Sequence, residues 1–199
     1  HLRTRRQRQM CIRDSTFSAE QDDELMARLR ELPLFNRGHN RKMRNVMTTE
    51  ADNLRLNIFD YQFTTGGGKN SHTHRYSVVS FASASLQLPI LSIQPEGFFA
   101  KLGAAMGMQD IDFDQHPEFS DQFRLTGEDE GAIRDFFDQE LLDFFAPQKG
   151  LCLQCSPGFF IYFRKGRRDA DQIRDFLDQA YSTYAALNDR FSRSDSTSH

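Results

Sequence analysis

LRLNIFDYQFTTGGGKNSHTHRYSVVSF, residues 54–81, is the stretch on which the fold turns. Leu54, Leu56 and Ile58 before its three consecutive glycines, and Val79 and Phe81 after them, recur at every second residue, the period of a strand. The spacing predicts two long antiparallel strands joined by a polar, glycine-rich loop. Glycines accept positive φ without steric cost, which suits them to such a tip.

Outward from this hairpin, toward the N-terminus, Lys42 to Thr48 (KMRNVMT) alternates loosely enough to be a first strand with Met43 and Met47 on one face. Before it, Leu25, Met26 and Leu29 mark a short amphipathic helix. Ser18 and Gln21 are spaced to open it as a capping box, and Pro33 ends it. Asn36-Arg37-Gly38-His39-Asn40 is a turn-rich bend.

Toward the C-terminus, Leu86 to Ile93 reads as a further strand that Pro89 confines to an edge or a strand start. Phe98, Phe99, Leu102 and Met106 predict a short helix closed by Gly107. Ile111 to Phe113 and Glu118 to Leu125 read as strand pieces around a His116-Pro117 turn. A phenylalanine-rich helical stretch starts near Thr126 and Asp129 and runs to Pro147, with Asp138 placed to restart a second helix within it. Ser156-Pro157-Gly158 separates two apolar strands, Leu151–Cys155 and Phe159–Phe163. Ile173, Leu177, Ala180, Tyr184, Leu187 and Phe191 then recur four and three apart over fewer than three heptads, the pattern of a C-terminal amphipathic helix packed on a sheet. Strands early, helices later and no regular βαβ alternation give an α+β fold class: a largely antiparallel sheet with a long central hairpin, packed by the Phe-rich helix and the C-terminal helix.

The chain of 199 residues, 38% hydrophobic and 27% charged, is sized for one core, built here with 19 Phe and no Trp. Residues 1–15 hold five arginines against one aspartate. With a total charge of -3, this leaves the remainder at about -7. The acidic body argues against a nucleic-acid partner, which needs a clustered basic face. Three cysteines, Cys11, Cys152 and Cys155, are too few for a disulfide framework and favour a reducing compartment. Neither a membrane span nor a signal peptide can be read from the residues, so a soluble protein is expected. The expected organisation is a basic head over 1–15, non-native or disordered, a single domain over 16–191, and a frayed tail over 192–199.

Chemistry is sparse. Thr65-Gly66-Gly67-Gly68-Lys69-Asn70-Ser71 lacks the hydroxyl that a phosphate-binding loop places directly after its lysine, and strand, not helix, follows. His72 and His74, two apart on a strand, project from one face and could share a metal, which would need a third ligand. Cys152 and Cys155 are the tempting partners, but three apart on a strand they point to opposite faces, so the competing reading is solvated histidines and structural cysteines. Asp110, Asp112 and Asp114 could offer hard oxygens to Ca²⁺, yet the glycine and glutamate positions of an EF-hand loop hold Gln115 and Asp121, and a charged strand edge is the simpler reading. His39 and His116 sit in turns without evident company. Arg37, Arg41, Lys42 and Arg44 form a small basic group that could face an anionic partner or lipid headgroups, or simply coat an exposed turn and strand. No motif for a cofactor or a catalytic triad is present, so the chain leans away from being an enzyme.

The string RRQRQMCIRDS within the head resembles translated adapter sequence found at the ends of environmental gene predictions. Leu32-Pro33-Leu34-Phe35-Asn36-Arg37-Gly38-His39, Ile58-Phe59-Asp60-Tyr61 with the Thr-Thr-Gly-Gly-Gly loop, Asp110-Ile111-Asp112-Phe113 and His116-Pro117-Glu118-Phe119 together resemble a group of bacterial proteins of unassigned function, over roughly Leu32 to Leu187. The resemblance implies a domain that a membrane-spanning helix often precedes, and hence a cytoplasmic domain that such a helix would tether to the inner face of the membrane. It carries no functional residues. The expectation is therefore a non-enzymatic binding or interaction module with a protein or ligand partner, and the alternative is a metal-dependent enzyme or metal sensor using His72 and His74.

Overall fold

A computed structural model describes residues 16–18, 23–51, 53–98 and 109–196. Nine strands among them form one sheet in the order β1-β2-β3-β4-β9-β8-β5-β7-β6, with every pair of neighbours antiparallel. The strands are β1 (Thr16–Ser18), β2 (His39–Ala51), β3 (Leu54–Thr65), β4 (His72–Ala82), β5 (Leu91–Pro95), β6 (Gln109–Asp110), β7 (Phe123–Gly127), β8 (Cys152–Ser156) and β9 (Phe159–Lys165). Five helices pack on it: α1 (Asp23–Leu29), α2 (Pro117–Ser120), α3 (Glu130–Phe136), α4 (Gln139–Phe145) and α5 (Ala170–Ser196). The fold is α+β.

The β3–β4 hairpin holds unbroken register from Arg55↔Ala82 to Thr65↔His72. It is buried on both faces along most of its length, with apolar residues of one alternation in one core and of the other alternation in a second. Leu54, Leu56, Ile58, Val79 and Phe81 face a core shared with α2–α5, whereas Phe59, Tyr61, Phe63, Tyr76 and Val78 face a second core shared with α1 and the 3-10 turn Pro33–Asn36. In the first core Phe81 stacks on Phe160 at 4.8 Å and on Tyr184 of α5 at 5.3 Å. In the second, Phe35 meets Tyr61 with ring centroids 4.5 Å apart. Such pairs add to the area they bury through the electrostatics of their rings.

Two asparagines with positive φ, Asn40 and Asn45, sit where the β2–β3 register shifts. Each extra residue is a bulge, and asparagine tolerates the left-handed backbone a bulge asks for. The second bulge reverses the expected pairing of Met43 with Met47: Met43 is 2% exposed, Val46 takes the next inward position, and Met47 is 40% exposed.

Four other expectations are corrected. Ser18 belongs to β1, paired with Val46, and the first helix starts at Asp23, so Ser18 does not cap it. The strand expected over 86–93 begins only at Leu91, two residues beyond Pro89, because β5 is an interior strand whose neighbours need its N–H groups. Glu118 to Ser120 is helical: His116 caps α2 by accepting a hydrogen bond from the Phe119 N–H. Ile111 to Phe113 lies outside β6, which ends at Asp110. The helix expected from Phe98 to Met106 falls mostly on 99–108, outside the described residues, as do the basic head over 1–15 and residues 197–199.

The Phe-rich stretch is two helices, with Asp129 capping α3 at Ala132 N–H and Asp138 capping α4 at Leu141 N–H. The hairpin β8–β9 turns at Gly158, φ 75°. Along α5 the fully buried line is Phe176, Ala180, Thr183 and Leu187, with Ile173, Leu177 and Tyr184 flanking it half-buried. No described helix is long and apolar enough to cross a membrane.

Candidate functional site

The hairpin tip, where the sequence placed its candidate metal ligands, has Gly66 and Gly68 at positive φ and winds through a single 3-10 turn, Gly68–Asn70, into β4. A Cβ at Gly66 would meet the Asn70 carbonyl oxygen at 2.2 Å, so that glycine is required by close backbone approach. The backbone N–H of Asn70 is spent on the Gly67 carbonyl, and β4 follows instead of the helix start a phosphate loop needs. His72 is exposed. The His74 ring stacks on Phe63 at 4.9 Å and shares a 2.8 Å hydrogen bond with the Thr65 hydroxyl. Partial burial, then Lys165, His72 and Arg37 as positive neighbours, push the His74 pKa below the ordinary value. Among the described residues no three His, Cys, Asp or Glu side chains converge as a metal site, so His72 and His74 have no third ligand there.

Cys152 and Cys155 lie on opposite faces of β8, as their spacing requires, the first in the core under α1 and the second in the core under α2–α5. Burial raises both thiols, Cys152 to about 12, which leaves them protonated and inert at neutral pH. The basic group after the first helix is partly consumed by structure. Arg41 donates to the carbonyls of Asn36, Arg37 and Gly38, holding the bend before β2, and Arg37 is half-buried near Tyr76 and Cys152. His116, without company in the sequence, pairs with Asp143 of α4 at 2.9 Å across 27 residues. This bond holds the exposed Asp143 below the usual carboxylate range. Among the described residues no serine, threonine or cysteine hydroxyl or thiol bonds to that pair, which positions α2 on α4 without the nucleophile of a hydrolytic triad.

Polar residues cross the sheet where β8, β5 and β7 meet. Gln154 accepts the Leu34 N–H at 3.0 Å and Gln94 donates to Ser92 at 2.9 Å, while the Gln94 side-chain oxygen and the Thr126 hydroxyl are buried with no partner among the described residues. Sequence alternation on β5 and β7 marks these positions as facing away from the α2–α5 core, but only tertiary packing shows them enclosed.

A cleft of about 610 Å³ opens at the end of the sheet, bounded by the β2–β3 turn, the start of β3, the end of β4 and the β8–β9 turn, with α1 above it. That volume is within the range of ligand sites. Leu54, Ala82 and Phe159 form apolar floor; Arg28, Glu50, Asn53, Arg55 and Ser83 supply the polar wall. Arg55 and Glu50 form an ion pair at 3.4 Å, and Asn53 holds the turn at φ 65°. These residues come from four separate segments and none belongs to a recognisable motif, so sequence spacing carried no signal for them. The cleft offers hydrogen-bond donors and acceptors of both charges and no nucleophile–base pair.

No family model and no curated protein matches the chain. A solved structure, the mycobacterial trehalose monomycolate transport factor A, TtfA, has a similar fold: the TM-score is 0.62, with 11% identity, over 88% of this chain and 86% of that one. At that identity the likeness is one of fold.

Proposed function

We propose that this chain is a non-enzymatic binding module of a membrane-associated bacterial protein, and that it assists lipid transport by holding a ligand or partner without converting it. The observation that carries this reading is the cleft of about 610 Å³, which combines an apolar floor with a hydrogen-bonding wall and contains no assembled acid, base or nucleophile. The likeness of the whole fold to a bacterial lipid-transport factor supports the choice of process. A tether at the inner face of the membrane, on a segment outside the described residues, would place the module where such transport begins.

Flotation of the purified chain with vesicles of bacterial lipid extract, followed by mass spectrometry of the recovered lipid, tests the reading. Reversible association with chemically unchanged lipid is expected. Time-dependent loss of an acyl or glycosyl group would make the protein an enzyme, and absence of association by both the chain and the full-length gene product would remove lipid from its function.

A further inference from the structure

We infer that the cleft at the end of the sheet takes a neutral, hydroxyl-rich ligand, a saccharide or the glycosyl headgroup of a lipid. This rests on the binding reading above and names the chemistry of its occupant.

The argument is one of matched functional groups. Arg28 is exposed at the rim on α1, and Arg55 and Glu50, joined at 3.4 Å, stand on β3 and β2 at the same opening. Asn53 adds a side chain that both donates and accepts, while the Ser83 hydroxyl beside it is held by Ser85 at 2.9 Å. An anionic headgroup would use the guanidinium groups but would meet the Glu50 carboxylate, and a cationic one would meet two arginines. A sugar ring satisfies both kinds of wall, because each hydroxyl donates to a carboxylate or amide oxygen and accepts from a guanidinium or amide N–H. Leu54, Ala82 and Phe159 lie where the C–H face of a pyranose, or the first methylenes of an attached acyl chain, would be removed from water. Arg55 and Glu50 are direct partners in the strand register across the β2–β3 hairpin, which brings a donor and an acceptor to the same opening.

The experiment is a calorimetric titration of the chain with maltose and trehalose as soluble disaccharides, with phosphatidylcholine vesicles containing a diglucosyl diacylglycerol, and with vesicles containing phosphatidylglycerol. Saturable binding of either glycosyl form is expected. Binding to the free disaccharides assigns the site to a soluble sugar, and binding to the glycolipid vesicles alone assigns it to a lipid headgroup whose acyl chains contribute. Arg28→Ala and Glu50→Gln should each weaken that binding about tenfold, the loss of a hydrogen bond to a charged group. Glu50→Gln separates the ligand classes: it weakens a sugar, and it strengthens an anion by removing the repelling carboxylate. Binding confined to phosphatidylglycerol, with Glu50→Gln tightening it, would overturn the inference. So would titrations without heat for all glycosyl probes on chain whose thermal unfolding shows it folded, or sugar binding that both substitutions leave unchanged. Should the glycosyl probes fail while flotation with bacterial lipids persists, the binding function stands and only the occupant of this cleft is refuted.

Discussion

Gly38 precedes β2 with φ 57°, and a Cβ there would lie 2.2 Å from the Thr64 carbonyl oxygen and 2.9 Å from the Phe63 ring. Backbone oxygen cannot yield as a flexible side chain can, and the left-handed conformation itself costs a non-glycine residue about 1–2 kcal/mol. Gly38→Ala is therefore expected to destabilise the protein by about 2–4 kcal/mol, read as a lowered urea midpoint at unchanged slope. Cys152 and Cys155 should stay unmodified by a thiol reagent at neutral pH in the native protein, and all three cysteines should react in denaturant; native labelling of more than one thiol would contradict the buried, raised thiols. His74 sets a pH dependence. Its folded pKa lies below the ordinary histidine value, so the unfolded chain binds the proton more readily. Its stabilising contribution is whole above the unfolded pKa of about 6.5 and declines as pH falls from there to the depressed folded value. Denaturation midpoints measured between pH 7.5 and 5.5 should fall less steeply for His74→Gln than for the wild type.

Among the elements, α5 does more than cover the sheet. Arg190 donates to the Phe136 carbonyl at 2.9 Å and to the Asp135 carbonyl, and pairs with Asp138 at 3.1 Å, so a single guanidinium closes the C-terminal end of α3 and the capping residue of α4. The last carbonyls of a helix lack intrahelical partners, and a fork of donors is suited to two at once. Arg190→Ala should cost about 1–3 kcal/mol in urea denaturation, and Arg190→Lys should recover only part of it because an ammonium is a point donor. The two bulges of β2 are a second device at this scale: each asparagine shifts the inward positions by one, which buries Met43 and Val46 in the core under α1 and leaves Met47 outside.

At the scale of the molecule, β4 and β9 are joined in the interior of the nine-stranded sheet and carry residues of both cores, so neither can open without disrupting one of them. Amides of Val78 to Phe81 and of Phe160 to Phe163 are expected to exchange only by global unfolding, while those of β6 and β1 at the edges exchange by local opening; hydrogen exchange with site resolution checks the order. The α+β class, the register-bearing hairpin, the β8–β9 hairpin at Pro157-Gly158, the restart of helix at Asp138 and the opposite facing of Cys152 and Cys155 were all legible from residues 54–81 outward, because each depends on a local period, a cap or a turn residue. The inward set of α5 and the bulged set of β2 were legible only in outline: Phe176 and Thr183 replace Ile173 and Tyr184 at the centre of the helix face, and Asn45 moves Val46 inward. His116 and Asp143, and the wall of the cleft from Arg28 to Ser83, had no local signature, since partners 27 and 55 residues apart are joined by strand order and not by spacing. The sequence by itself determined the α+β class, the two hairpins, the paired helices around Asp138 and the long C-terminal helix, for those follow from short-range sterics and periodicity. Only the tertiary structure decided that the hairpin is buried on both faces and that its far end, with two other turns and a helix, encloses a cleft, because those depend on which distant segments pack together.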